Sequence, residues 1–321
     1  MYLKKSFYQI VYIFLFLFLW SCSKRDADII RIGILHGPTE ISFMKMISEN
    51  EDIATKKVEF IIKDEPLQIQ SLMMRNEVDF AVLPTVMAVN LYNKGMKYQM
   101  LACPVWGTLY LVSNDKDIRR LKDLENKETA VFGQGVTPDI LFRNLLIKRK
   151  INKVRINYQY TSNSDIAQAL LQHKVKTGVL SEPAVSILLS KDSTLHIVNS
   201  VSCEDFVDNV ETDIFIQTAF LVSNKFSQKY PQVVKKVARE YRQSCNFVIN
   251  QPDAAKKLAV ELKLFPDVNT AEISLPLCNV RYVAAFALEH ELLHYLDIFY
   301  KFDSKSIGGK LPDSNFLYKM N

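Results

Sequence analysis

The 321-residue chain shows no apolar run of bilayer-spanning length near its start, where one would be sought first. The apolar core there, roughly Ile10 to Trp20, falls short of the ~20 residues a membrane-crossing helix needs, and Lys24-Arg25-Asp26 follows at once. A stable transmembrane helix is therefore not expected. None of the five cysteines stands in a Cys-x-x-Cys spacing, and none lies beside a histidine at metal-ligand spacing, so cysteine-based metal sites are not expected. Basic blocks with interleaved aromatics are also missing, which argues against a nucleic-acid partner. No internal repeat is visible, and the only linker-like stretch is the short polar tether after Cys22.

What is present begins with an export signal. Lys4 and Lys5 precede the uncharged stretch from Ser6 to Ser21, dominated by Ile, Val, Phe, Leu and Trp. The segment ends in Leu19-Trp20-Ser21-Cys22, which resembles a bacterial lipobox with Cys22 as the acylated residue and Trp20 as an unusual member. Residues 1–21 read as a lipoprotein signal peptide and 22–29 as a tether. More than one acyl chain holds a protein stably where a single chain does not, so the expected location is the extracytoplasmic side of a bacterial membrane. Cleavage removes two lysines and no acid, lowering the formal charge from +5 to +3. Cys103, Cys203, Cys245 and Cys278 are expected to be mostly buried free thiols, because a chain this long needs no disulfide to hold its core.

Along the rest of the chain short apolar runs alternate with helix-like segments, the rhythm of βαβ units. Ile30–Leu35 reads as a strand, Ile41–Ser48 as a helix, Val58–Ile62 as a strand, and Pro66 opens a helix; Phe80–Leu83 reads as a buried strand. The next helix runs to Gly95. After a connecting strand at Leu109–Ser113 the pattern restarts, with strands expected at Thr129–Phe132, Ile156–Tyr160 and Thr177–Leu180. Helices are expected at Asp139 to about Lys150, Asp165–Gln172 and Ala184–Leu189, and an extended run at Thr218–Ser223 leads out. From Pro231 onward the reading is almost all helical: Gln232–Ile249, Asp253–Leu262 and Tyr282–Tyr300, with no strands left for a third sheet.

Several stretches together resemble one family, the substrate-binding proteins of the nitrate, sulfonate, taurine and thiamine-precursor ABC importers. They are Gly37-Pro38-Thr39-Glu40, Asp79-Phe80-Ala81-Val82-Leu83-Pro84-Thr85, Lys122-Asp123-Leu124 leading to Gly133-Gln134-Gly135-Val136-Thr137-Pro138-Asp139, Ser181-Glu182-Pro183, Gln217 to Val222, and Ile307 to Pro312 with Phe316. The resemblance implies an α/β, two-lobed type II periplasmic-binding-protein fold with two crossover strands and the ligand between the lobes. It places lobe 1 at residues 30–111 and 220–321, discontinuous in sequence, and lobe 2 at 112–219. It further implies a monomer that takes one small solute by hinge closure, with an ABC permease and its ATPase as partners and no cofactor.

The residues point to the same cleft by themselves, since ligands of open α/β sheets bind beyond the carboxyl ends of the strands. The candidate ligand-binding residues there are Gly37, Pro38, Thr39, Glu40, Pro84, Thr85, Gly133, Gln134, Gly135, Thr137 and Glu182. Three of these loops lead into helices, whose free N–H groups and dipoles favour anionic groups. Glu40 and Glu182 have two readings: helix-start carboxylates, or readers of a cationic or amine-bearing ligand such as a pyrimidine. Trp106 and Tyr110 stack on a ligand ring or pack in the core.

His290-Glu291-Leu292-Leu293-His294 matches the zinc-peptidase pattern, but no His or Glu follows it to supply a third ligand. Leu288, Leu292, Leu296 and Phe299 form an apolar stripe at helical spacing, which turns both histidines to solvent and leaves no metal site. A same-fold biosynthetic enzyme of the thiamine-pyrimidine or menaquinone type is the remaining alternative; the synthases carry a cysteine-rich cluster that this chain lacks.

Overall fold

The computed structural model describes residues 28–201 and 215–320. The segment read as a signal peptide, Cys22 and Cys203 fall outside them.

Two sheets organise these residues. The first contains β1 (Ile29–Leu35), β2 (Lys57–Lys63), β3 (Phe80–Pro84), β4 (Tyr98–Val105), β10 (Thr218–Ser223) and β11 (Val280–Ala284), in the order β11-β4-β10-β3-β1-β2. The second contains β5 (Leu109–Ser113), β6 (Glu128–Val131), β7 (Arg155–Asn157), β8 (Thr177–Ser181) and β9 (His196–Ser200), ordered β7-β6-β8-β5-β9. In the first, β1 runs parallel to β2 and β3, and β10 runs antiparallel to β3 and β4. In the second, β6 is parallel to β7 and β8, while β5 is antiparallel to β8 and β9. The chain thus crosses between sheets over Trp106–Thr108 and returns ahead of Thr218. This is the α/β, two-sheet form of a type II periplasmic-binding fold.

The period of two in β10 shows why that strand is central. Ala219 and Leu221 enter one apolar core and Phe220 and Val222 the other, so the strand forms part of a wall with no wet face. In the core under α1 (Pro38–Glu49), Phe43 stacks on Tyr241 at 3.6 Å. Tyr241 belongs to α8 (Pro231–Asn250), whose Val234, Val237, Tyr241, Cys245 and Val248 recur every three or four residues and are all buried.

Three strands escaped the sequence reading. β4 and β9 were not expected, and β11 (Val280–Ala284) runs into a segment read as helix from Tyr282. Tyr282 to Ala284 continue that strand, and the helix α11 (Glu289–Asp303) starts only after a short 3₁₀ turn. The physical reason is that β4 would otherwise be an open edge, and a short run with Val280 and Tyr282 turned inward satisfies its hydrogen bonds. α10 (Val268–Leu277) was likewise missed.

The C-terminal helices also hold the second sheet. α10 packs against α6 (Ala184–Lys191), and α11 packs against α4 (Thr137–Lys148). There Leu292, Tyr295, Leu296 and Phe299 join Ile140, Leu141 and Leu145 in one apolar cluster, and the Arg143 guanidinium lies 4.8 Å from the Phe302 ring centre.

Candidate ligand cleft

The four predicted loops stand at carboxyl ends of parallel strands and each opens a helix. β1 leads through His36-Gly37 into α1, and β3 leads directly into α3 (Thr85–Asn93). β6 leads through residues 132–136 into α4, and β8 through Glu182-Pro183 into α6. Four helix N-termini and their free N–H groups are therefore grouped at the strand ends.

The sheets meet at Gly37. Its φ of 91° lies in the region that favours glycine, and a Cβ there would stand 3.3 Å from Pro183 Cδ and 3.9 Å from the Glu182 carbonyl oxygen. Hydrogen bonds extend this junction across the crossings. Thr85 N donates to the Gln217 carbonyl (2.9 Å), Gln217 Oε1 accepts from Thr108 N (2.8 Å), and Glu182 N donates to the Thr108 carbonyl (3.1 Å). Gly37, Pro84-Thr85 and Glu182 are thus brought into one connected group. Gln217 and Thr108 were not among the named site residues. Gln217 lay in a recognised stretch, but no spacing rule connects it to Thr108.

Glu182 is buried, 2% exposed, and its carboxylate is shared: Oε1 accepts from Ser186 Oγ (2.9 Å) and Oε2 from Ser274 Oγ (2.7 Å). Burial pushes its pKa up to about 7 against the downward pull of both serines. Ser274 sits on α10, so this carboxyl ties the first sheet's helices to the second sheet. Glu40 is also buried, and His36 Nδ1 lies 2.7 Å from its Oε2. It occupies the first turn of α1, where a negative charge complements the helix dipole.

Thr85 differs from both. It is 0% exposed, and its hydroxyl has no hydrogen-bond partner in the structure. Thr39 is buried on the first turn of α1. The Gly133–Thr137 loop is fixed mainly by bonds of its own. Val136 N donates to the Gly133 carbonyl, and Gly135 N donates to Asp139 Oδ2 (2.9 Å). Tyr158 donates to Asp139 Oδ1 (2.7 Å), and burial followed by that bond pushes its pKa up to about 12. Gln134 and Gly135 are exposed and Thr137 is half-buried. No hydrogen bond among the described residues joins this loop to the Gly37–Thr85–Glu182 group.

The two aromatic candidates pack rather than stand open. Trp106 Nε1 donates to the Arg281 carbonyl (2.8 Å) beneath the Arg281 guanidinium, and Tyr110 donates to the Leu277 carbonyl (2.9 Å). His290 and His294 are exposed on α11, while Leu288, Leu292, Leu296 and Phe299 are buried. Among the described residues no three His, Cys, Asp or Glu side chains cluster to hold a metal. Cys103, Cys245 and Cys278 are buried free thiols.

Two α/β sheets joined by two crossings, with helix-opening loops at the strand ends, make up the class of the type II periplasmic-binding fold. The NMT1/THI5-like family model matches residues 108–255. An ABC transporter protein from Parabacteroides distasonis is 32% identical, with a TM-score of 0.81 over 92% of this chain and 100% of that one. The chain belongs to the same ABC-transporter family as that protein. The same fold recurs at 15% identity in the periplasmic aliphatic sulphonate binding protein of Escherichia coli, with a TM-score of 0.68 over 86% of this chain and 88% of that one. It recurs at 10% identity in the periplasmic nitrate-binding protein of Synechocystis, with a TM-score of 0.56 over 76% and 69%. No curated protein matches the chain in sequence.

Proposed function

We propose that this protein is an exported lipoprotein, anchored through Cys22, that captures one small organic anion between two lobes and delivers it to an ABC permease. The lobes divide near the two crossings, close to residues 30–111 with 220–321 and 112–219, and the molecule acts as a monomer. The observation that carries the ligand reading is the Thr85 hydroxyl, buried without a partner at the N-terminus of α3. An unpaired buried hydroxyl costs free energy that a bound acceptor would recover. The helix N-termini around it favour negative charge. Glu40 and Glu182 do not oppose this, because His36, Ser186 and Ser274 already engage them. A carboxylate or sulfonate group on a small organic body therefore fits better than a cation.

Thr85→Val separates this reading from a structural one. Replacing the unpaired hydroxyl by a methyl should leave the melting temperature of the free protein unchanged or slightly higher. The same change should weaken the ligand about five- to tenfold, the loss of one hydrogen bond of about 1 kcal/mol. A thermal-shift screen of carboxylates and sulfonates identifies the ligand, which at 100 times its dissociation constant should add ~2.7 kcal/mol of stability. Unchanged affinity in Thr85→Val would place the ligand elsewhere. The anchor has its own test. Cells fed a labelled fatty acid should label the wild-type protein and not Cys22→Ser, and an unlabelled wild type refutes the lipoprotein reading.

A further inference from the structure

We infer that the protein has a second membrane contact, a basic basin at the foot of the first sheet that docks onto anionic phospholipid headgroups. β1, β2, β3 and β4 all start at this end, where β10 finishes, opposite the strand ends that form the cleft. Lys97, Lys225 and Lys229 line an open basin of about 590 Å³ there, together with Asn224 and Gln228. All three lysines are exposed, and none has a carboxylate partner among the described residues. Three acids at this end of the sheet are engaged, Glu77 by Arg75, Asp28 by Lys56, and Asp79 by the backbone N–H of Arg31.

The path of the chain decides which surface this basin meets. Asp28, the first described residue, lies at the same end, with its carboxylate 3.8 Å from Lys56 Nζ. Lys56 Nζ lies 4.7 Å from the centre of the Tyr230 ring, and Lys229 Nζ lies 4.9 Å from the same centre. The exit of the tether and the basin are therefore one ring apart. Cys22 stands six positions before Asp28, a reach of about 20 Å at full extension. On the reading of Cys22 as the acylated residue, on which this inference rests, the basin is held beside the lipid surface and the cleft loops point away from it. Each lysine near an anionic surface is worth about fivefold in partitioning, so three give about a hundredfold, screened by salt over about 8 Å.

The test uses the mature chain with Cys22→Ser, so that the lipid anchor plays no part. Its sedimentation with vesicles of phosphatidylcholine alone is compared with vesicles that also contain phosphatidylglycerol. Partitioning is expected only onto the second kind, to be reversed by added salt, and to fall about a hundredfold in Lys97→Glu/Lys225→Glu/Lys229→Glu with an unchanged melting temperature. Reversing Lys148, Lys150 and Lys153, beside the starts of β6 and β7, should leave it intact. Equal partitioning onto neutral vesicles, or loss only with the second set of reversals, would overturn the inference. Fatty-acid labelling of the wild type reports on the anchor independently, so the two failures are distinguishable.

Discussion

Glu182→Gln is expected to reduce the fall in stability that the wild-type protein shows between about pH 4.5 and pH 7. The folded protein holds this carboxyl's pKa at about 7 against an ordinary 4.5, because burial disfavours the carboxylate more than Ser186 and Ser274 favour it. Between those values the native state keeps a proton that the unfolded chain has lost. Stability is therefore full below pH 4.5 and falls as pH rises through 7. At 1.36 kcal/mol per pKa unit the fall is on the order of 3 kcal/mol. Urea midpoints measured across this range should decline in the wild type and decline less in Glu182→Gln, which keeps the shape and an acceptor for one serine. Parallel curves for the two proteins would show that Glu182 does not titrate in this window. The same carboxyl joins α10 to the second sheet through Ser274, so the grip on that sheet should loosen as it ionises.

The largest loss of stability is expected from Phe43→Ala. Phe43 is 0% exposed, stacks on Tyr241, and meets Phe60 and Phe220 edge-on at 5.7 Å and 5.8 Å between ring centres. Removing a buried phenyl ring leaves a cavity that costs about 3–5 kcal/mol. For a protein this large that lowers the melting temperature by roughly 10 °C. A calorimetric shift of only one or two degrees would mean that α1 and α8 close over the gap. The contrast with Thr85→Val is informative, because one change should remove stability and the other affinity alone.

Much of the architecture was legible because its signals are local. The apolar periods of β1, β3, β10 and α8 each announce an element that buries two faces or one, and the structure places them close to the expected limits. Gly37 and the Glu182-Pro183 pair were visible as strand-end punctuation. The strands that went unread have no such signal. β11 exists because β4 needs a neighbour, and Val280-Arg281-Tyr282 alternates for too few residues to outweigh the helical stripe that follows.

Side-chain roles divided in the same way. The stripe Leu288-Leu292-Leu296-Phe299 foretold that His290 and His294 face solvent, since both facts follow from the period of one helix. The company of Glu182 followed from nothing local: Ser274 stands 92 positions along the chain and reaches it only after α10 has folded over α6. Likewise Gln217 reads Thr108 across 109 positions because both crossings run side by side. The sequence alone determined the two α/β units, the loops that open helices at the strand ends, and the wet face of the histidine pair. Only the tertiary structure decided that two carboxyls are already engaged and that the Thr85 hydroxyl is left buried and unpaired. Periodicity and turn chemistry act within a few residues, whereas desolvation and hydrogen-bond satisfaction depend on whichever distant groups the fold brings alongside.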